Sequence, residues 1–212
     1  MTEEFKNFIN NKWVDPTTEK YFESTNPANE KEVLGKFASS GAQDANLAIN
    51  SAYDSFNSWG KMSQIQRGDF LYKASSWLEE NADRYAEAIT KECGKSIAEA
   101  QGEVGRSVAL LRYYAAQGSD PVGDVVPSVN ANILLYTTRV PLGVVGLITP
   151  WNFPLAIPIW KMAPALVFGN TIVHKPASST PLLGSMIAAM WEAVGLPEGV
   201  YNLVTGSGSE LG

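Results

Sequence analysis

Asn152, Lys161 and Lys175 are the side chains of this sequence whose types and placement can do chemistry. Asn152 stands in a proline-flanked bend, TPWNFP, and its amide can donate hydrogen bonds to a developing negative charge. Lys161 follows nine residues later inside an apolar run, where an ammonium must snorkel or find a partner. Lys175 closes the run TIVHK and offers a cation to hydroxyls or phosphates. Each has a plainer reading: asparagine after a strand is a turn residue, and lysine at a strand end is solvated. Cys93 and His174 are the only cysteine and histidine. Cys93 is rejected as a nucleophile, because it ends a predicted helix closed by Gly94, where the dipole would raise a thiol pKa. His174 lies within a predicted strand with no carboxylate or cysteine cluster around it, so no metal site is expected.

The elements that must position these residues follow from the pattern. Residues 143–148, short, β-branched and flanked by Pro141 and Pro150, predict a buried strand. The apolar segment that follows, closed by Gly169, predicts a buried helix starting near Pro158 and bending at Pro164. Residues 171–175 predict a second strand. Thr180 and Pro181 then open a helix through Met186, Ile187, Met190 and Trp191, ended by Gly195, and residues 200–204 predict a third strand. Strand, helix, strand, helix, strand is the mononucleotide-binding half of a doubly wound parallel sheet, so the fold class is α/β and Rossmann-like. Ligands of such sheets sit where the strands end, which is where Asn152 and Lys175 fall. The glycines after the third strand do not fit a G-x-G-x-x-G fingerprint, since three residues rather than two separate Gly208 from Gly212.

Upstream, residues 5–14 predict a hairpin turned at Asn10-Asn11, residues 24–27 a turn, and residues 33–38 a strand. Residues 44–118 predict helices, with capping boxes at Ser63/Gln66 and Ser96/Glu99 and a third cap at Asn81. Their aromatic and aliphatic stripes read as core. Pro121, Gly123 and Pro127 break the pattern, and residues 132–140 predict a further strand. With 212 residues, 45% apolar content and a net charge of -6, the chain suits a globular domain and argues against nucleic acid or an anionic membrane as partner. No secretory signal or membrane-length apolar run is visible, and one cysteine excludes an internal disulfide. These features predict a cytoplasmic protein.

TPWNFP, followed by KMAPAL, GNTIVHKPAS and TPL in this order and spacing, closely resembles the aldehyde dehydrogenase superfamily. Looser likeness extends over nearly the whole chain. The resemblance implies NAD(P)-dependent oxidation of an aldehyde to the acid, by attack of a cysteine thiolate followed by hydride transfer. It implies that Asn152 donates to the oxyanion and that Lys161 serves proton movement as the second catalytic residue. It implies that Ile148, Thr149, Pro150, Trp151, Asn152, Lys175, Ala177, Ser178, Gly208 and Gly212 bind the cofactor. Lys175 would take the adenine-ribose hydroxyls, and the two glycines would flank the pyrophosphate. Many NAD-preferring members carry glutamate at the position matching Ser178, so the serine implies that NADP is accepted beside NAD, and preferred. Some semialdehyde dehydrogenases share KPAS, which points to a semialdehyde substrate.

By the same resemblance, the opening strands form small sheets on the cofactor domain. Residues 1–119 and 142–212 make that domain, and residues 120–141 bridge to an oligomerisation sheet of a homodimer or homotetramer. Family chains run much longer, and their catalytic cysteine, general-base glutamate and second domain lie downstream. The resemblance therefore implies a truncated N-terminal portion, inactive alone, with an incomplete cofactor domain. Two other readings stand beside it: a non-catalytic nucleotide-binding or oligomerising module, and a conventional nicotinamide dehydrogenase, against which TPWNFP and the glycine spacing count.

Overall fold

The structure is a computed structural model that describes residues 2–212. It opens with β1 (Glu4–Phe5), β2 (Asn7–Ile9) and β3 (Lys12–Val14), the last two antiparallel. Their turn holds Asn10 and Asn11 at φ 52° and 55°, the left-handed conformation that a two-residue hairpin needs and asparagine tolerates. β4 (Tyr21–Asn26) and β5 (Asn29–Ala38) form a second hairpin, and β1 joins β5 in parallel, giving a three-stranded sheet. The predicted turn at residues 24–27 is corrected: Ser24 to Asn26 finish β4 through two register irregularities, and Pro27-Ala28 turn the chain. The polar residues 29–32 belong to β5, because that end of the hairpin is largely solvent-exposed and asks for no apolar alternation.

Four helices follow: α1 (Ala42–Lys61), α2 (Gln64–Glu80), α3 (Ala82–Cys93) and α4 (Ile97–Ala116). Both capping boxes form, Ser63 with Gln66 and Ser96 with Glu99. The expected side-chain cap at Asn81 does not, since its amide donates back to the Trp77 carbonyl at 2.8 Å. A small ribbon comes next, β6 (Val125–Val126) against β7 (Leu135–Tyr136), extended by Thr137 N–H to Asp124 C=O and Arg139 N–H to Val122 C=O, both 2.9 Å. The strand expected over residues 132–140 is thus two residues of an exposed hairpin with β6 as its partner.

The remainder is β8 (Val144–Ile148), α5 (Ala156–Val167), β9 (Thr171–Lys175), α6 (Pro181–Ala193), β10 (Tyr201–Leu203) and the turn α7 (Gly208–Leu211). The main sheet runs β3-β2-β10-β9-β8, with β8, β9 and β10 parallel and β2 antiparallel to β10. The β2–β3 hairpin therefore extends the main sheet rather than forming a separate small one. α5 and α6 pack on one face beneath α2, α3 and α4, and α1 covers the other. β9 is buried at every residue. β8, expected to be buried, exposes all but Leu147 wholly or in part, because it is the sheet edge with β9 as its single neighbour. α5 begins at Ala156, before Pro158, whose missing N–H costs nothing in the first turn, and it continues through Pro164.

Three long-range side chains close the helix ends. Glu92 accepts the amides of Leu182 (2.7 Å) and Leu183 (3.0 Å), capping α6. The expected cap from Thr180 does not form, and its buried hydroxyl has no partner within the described residues. Glu103 accepts Leu155 N–H at 2.9 Å and Ala156 N–H at 3.0 Å, capping α5. Arg67 donates to Val167 C=O at 2.9 Å and to the carbonyls of Trp59, Gly60 and Met62, joining the C-terminal ends of α5 and α1.

Candidate functional site

The carboxyl ends of β8, β9 and β10 stand side by side, so the segments leaving them emerge at one edge of the sheet. Thr149 N–H donates to Lys175 C=O at 3.2 Å, so the bend after β8 starts pinned to the end of β9. The Thr149 hydroxyl lies 3.0 Å from His174 Nε2, and His174 Nδ1 lies 2.8 Å from the Tyr201 hydroxyl. This buried line crosses all three strands. Burial, with Lys175 and Lys161 adding to it, drops the His174 pKa to about 3, so the imidazole is neutral and can donate from only one nitrogen. Among the described residues no group of three or more His, Cys, Asp or Glu is placed to hold a metal ion.

Lys175 is buried, and its Nζ donates to Pro176 C=O at 2.8 Å and Gly206 C=O at 3.3 Å. Among the described residues no carboxylate pairs with it, and burial pulls its pKa below the ordinary lysine range. An ammonium held this way has desolvation without a counter-charge, which a hydroxyl-rich or anionic ligand would relieve. The Ser178 hydroxyl donates to the same Gly206 carbonyl at 2.9 Å, with Ala177 half-buried between the two. Gly206 itself has φ 152°, and a Cβ there would stand 2.8 Å from Leu211 Cδ1 and 3.0 Å from Ser40 O. Only glycine fits. In the sequence Gly206 stands out only as a glycine of the Gly206-Ser207-Gly208 stretch that follows the third strand and misfits the fingerprint, not as a site residue. Gly208 and Gly212 bracket the single turn α7, and space is open where a Cβ of Gly208 would be. Beside Ser178 and Ser179 a groove is lined by Glu23, Glu30 and Glu92.

The bend itself presents Pro150, Trp151, Asn152 and Phe153 to solvent. No hydrogen bond within the described residues engages the Asn152 amide, which leaves both its N–H groups free for a ligand. Lys161, exposed rather than buried, donates to Ile148 C=O at 3.3 Å, on the solvent side of the same edge strand. Cys93 donates its S–H to Trp151 C=O at 3.3 Å. Its thiol pKa is raised, chiefly by burial rather than by the helix end, so it is a poor thiolate. The sites named from the sequence thus fall into two clusters along one edge. Lys175, Ala177, Ser178 and the glycines lie at β9 and β10, and Ile148, Thr149, Pro150, Trp151, Asn152 and Lys161 lie at β8. Sequence reading missed His174 as the link between them.

A family model described as the aldehyde dehydrogenase family matches residues 13–212. The alpha-ketoglutaric semialdehyde dehydrogenase of Bacillus subtilis is 47% identical over 208 residues, 98% of this chain and 43% of that relative. Among solved structures, an E. coli NADP dependent enzyme superposes with a TM-score of 0.95 at 34% identity, covering 99% of this chain and 43% of the other. The NAD+ complex of an aldehyde dehydrogenase from Bacillus cereus gives a TM-score of 0.94 at 37% identity, covering 99% and 43%. The chain spans less than half the length of each.

Proposed function

The chain belongs to the aldehyde dehydrogenase family, and from that premise we propose that it carries the dinucleotide-holding and oxyanion-donating residues for NAD(P)-dependent oxidation of a short semialdehyde. The observation that carries this reading is Lys175: a buried ammonium with two carbonyl contacts and no carboxylate, at the end of β9. Such a group fits ribose hydroxyls and a nearby phosphate. Ile148, Thr149, Pro150, Trp151, Ala177 and Ser178 would wall the dinucleotide, and Gly208 and Gly212 would let its pyrophosphate approach the backbone. When bound, the nicotinamide accepts a hydride. The chain's own contribution is geometric and electrostatic: Asn152 aims a free amide at the carbonyl oxygen as it gains charge, and Lys161 holds or passes a proton at the sheet edge.

Alpha-ketoglutaric semialdehyde, named for the Bacillus subtilis relative, is the first substrate to try. Val125, Leu134, Leu135 and Tyr136 on the exposed β6–β7 ribbon would pair between subunits of a homodimer or homotetramer. The single cysteine fits a cytoplasmic, reducing setting. Among the described residues no helix is long and apolar enough to cross a membrane.

The test expresses the protein from its complete reading frame and follows formation of reduced NAD or NADP with a panel of aldehydes. Cofactor reduction with a semialdehyde is expected. Tight dinucleotide binding without reduction by any aldehyde would leave the binding-module reading, and no binding at all would overturn both.

A further inference from the structure

The bend that carries Asn152 is gripped from outside the sheet at three points, by the end of α3, the α3–α4 junction and the second turn of α4. Cys93 donates to the Trp151 carbonyl at 3.3 Å. Lys95 stands 3.8 Å from the centroid of the Phe153 ring. Glu103 accepts the Leu155 and Ala156 amides through Oε1, while its Oε2 takes Lys95 Nζ at 2.5 Å. Glu103 is fully buried at its side chain and Lys95 is 18% exposed. Among the described residues, no hydrogen bond or ion pair joins the Cys93, Lys95 or Glu103 side chain to Lys175, Ala177, Ser178 or the glycines after β10.

We propose that Glu103 and Lys95 are positioning residues that fix where Asn152 points, which deepens and rests on the proposed oxyanion role of that residue. Asn152 is exposed and has no internal hydrogen bond of its own, so its direction is set by its neighbours. Of these, Trp151, Phe153 and Leu155 are tied to α3, the junction and α4, by a thiol, a cation and a carboxylate in turn. The Glu103 carboxylate is the hinge of the arrangement, because one oxygen starts α5 and the other orients the cation that holds Phe153. Charge-assisted bonds of this kind are about twice as strong as neutral ones. A bend released by even 1 Å would misplace an oxyanion donor, an error that costs on the order of a hundredfold in rate.

The experiment compares Glu103→Gln, Lys95→Met and Lys95→Arg in the protein expressed from its complete reading frame. Amide hydrogen exchange is read at residues 151–156 and, as an internal control, at Leu182 and Leu183, which Glu92 holds instead. Glu103→Gln should speed exchange at Leu155 and Ala156 about tenfold and leave the control unchanged. Glu103→Gln and Lys95→Met should each lower kcat at least about tenfold with a much smaller change in the dinucleotide Kd, and Lys95→Arg should restore most of the loss. Unchanged exchange at Leu155 and Ala156, an equal rise at the control amides, or wild-type kcat in both charge-removing variants would overturn the proposal. A wild-type protein that oxidises no aldehyde would sink the oxyanion reading instead, while the exchange pattern would still decide whether these contacts hold the bend.

Discussion

Replacing Glu92 with glutamine should reshape the pH dependence of stability in a way set by two buried groups. Burial lifts the Glu92 carboxyl from its ordinary 4.5 to about 8, with the amide bonds from Leu183 and Leu182 working the other way. Between those values the folded chain holds a proton that the unfolded chain has lost, so stability falls as pH rises. His174 acts with the opposite sign. Its folded pKa of about 3 lies below its ordinary 6.5, so between them the unfolded chain takes a proton that the folded chain refuses, and stability rises with pH. The two slopes cancel from 4.5 to 6.5, and above 6.5 only the Glu92 loss remains. From 6.5 to about 8 that is a span of about 1.5 pH units at about 1.36 kcal/mol each, or about 2 kcal/mol. For a chain of this size it lowers Tm by about 4–8 °C. Urea unfolding followed by tryptophan fluorescence at closely spaced pH values reads it directly. Glu92→Gln should remove the fall above pH 6.5 and expose the His174 slope below it. Equal slopes above pH 6.5 in both proteins would mean that Glu92 is ionised throughout and that its amide bonds outweigh its burial.

Arg67→Met should destabilise by about 3 kcal/mol or more, because it orphans buried carbonyls at the ends of α1 and α5, and a change under about 1 kcal/mol in urea would refute that role. Lys175→Met should hold or raise stability, since it removes an unpaired buried ammonium, yet cut NAD(P) affinity at least about tenfold by calorimetry. Loss of stability with unchanged affinity would reverse that assignment. Ser178→Glu should depress kcat/KM with NADP selectively, through repulsion of the 2′-phosphate. Equal losses with both cofactors would show that Ser178 does not face the 2′ position.

Much of the framework was legible because its causes are local. The Ser63/Gln66 and Ser96/Glu99 boxes, the Asn10-Asn11 turn and the short strand β9 each need only a few adjacent residues to declare themselves. β8 was misjudged because burial depends on how many neighbours a strand has, and β8 has one. The remote caps were out of reach for the same reason: Glu92 meets α6 about 90 residues on, and Glu103 meets α5 about 50 residues on. TPWNFP and KPAS fall at the carboxyl ends of β8 and β9, where the proposed site stands. The His174 line and the contacts from α3 and α4 beside those motifs are tertiary, with no local signature.

The most direct test of the central claim is single-turnover oxidation of alpha-ketoglutaric semialdehyde by wild type and Asn152→Ala, each expressed from the complete reading frame. Removing one oxyanion donor costs about 2.7–4 kcal/mol in sites of this kind, a loss of about 100- to 1,000-fold in the chemical step. The account predicts that loss in the chemical step with a much smaller weakening of dinucleotide binding, since Lys175 and its partners lie at a different strand end. A wild-type chemical step in Asn152→Ala, or a loss accounted for by weaker dinucleotide binding, would contradict it.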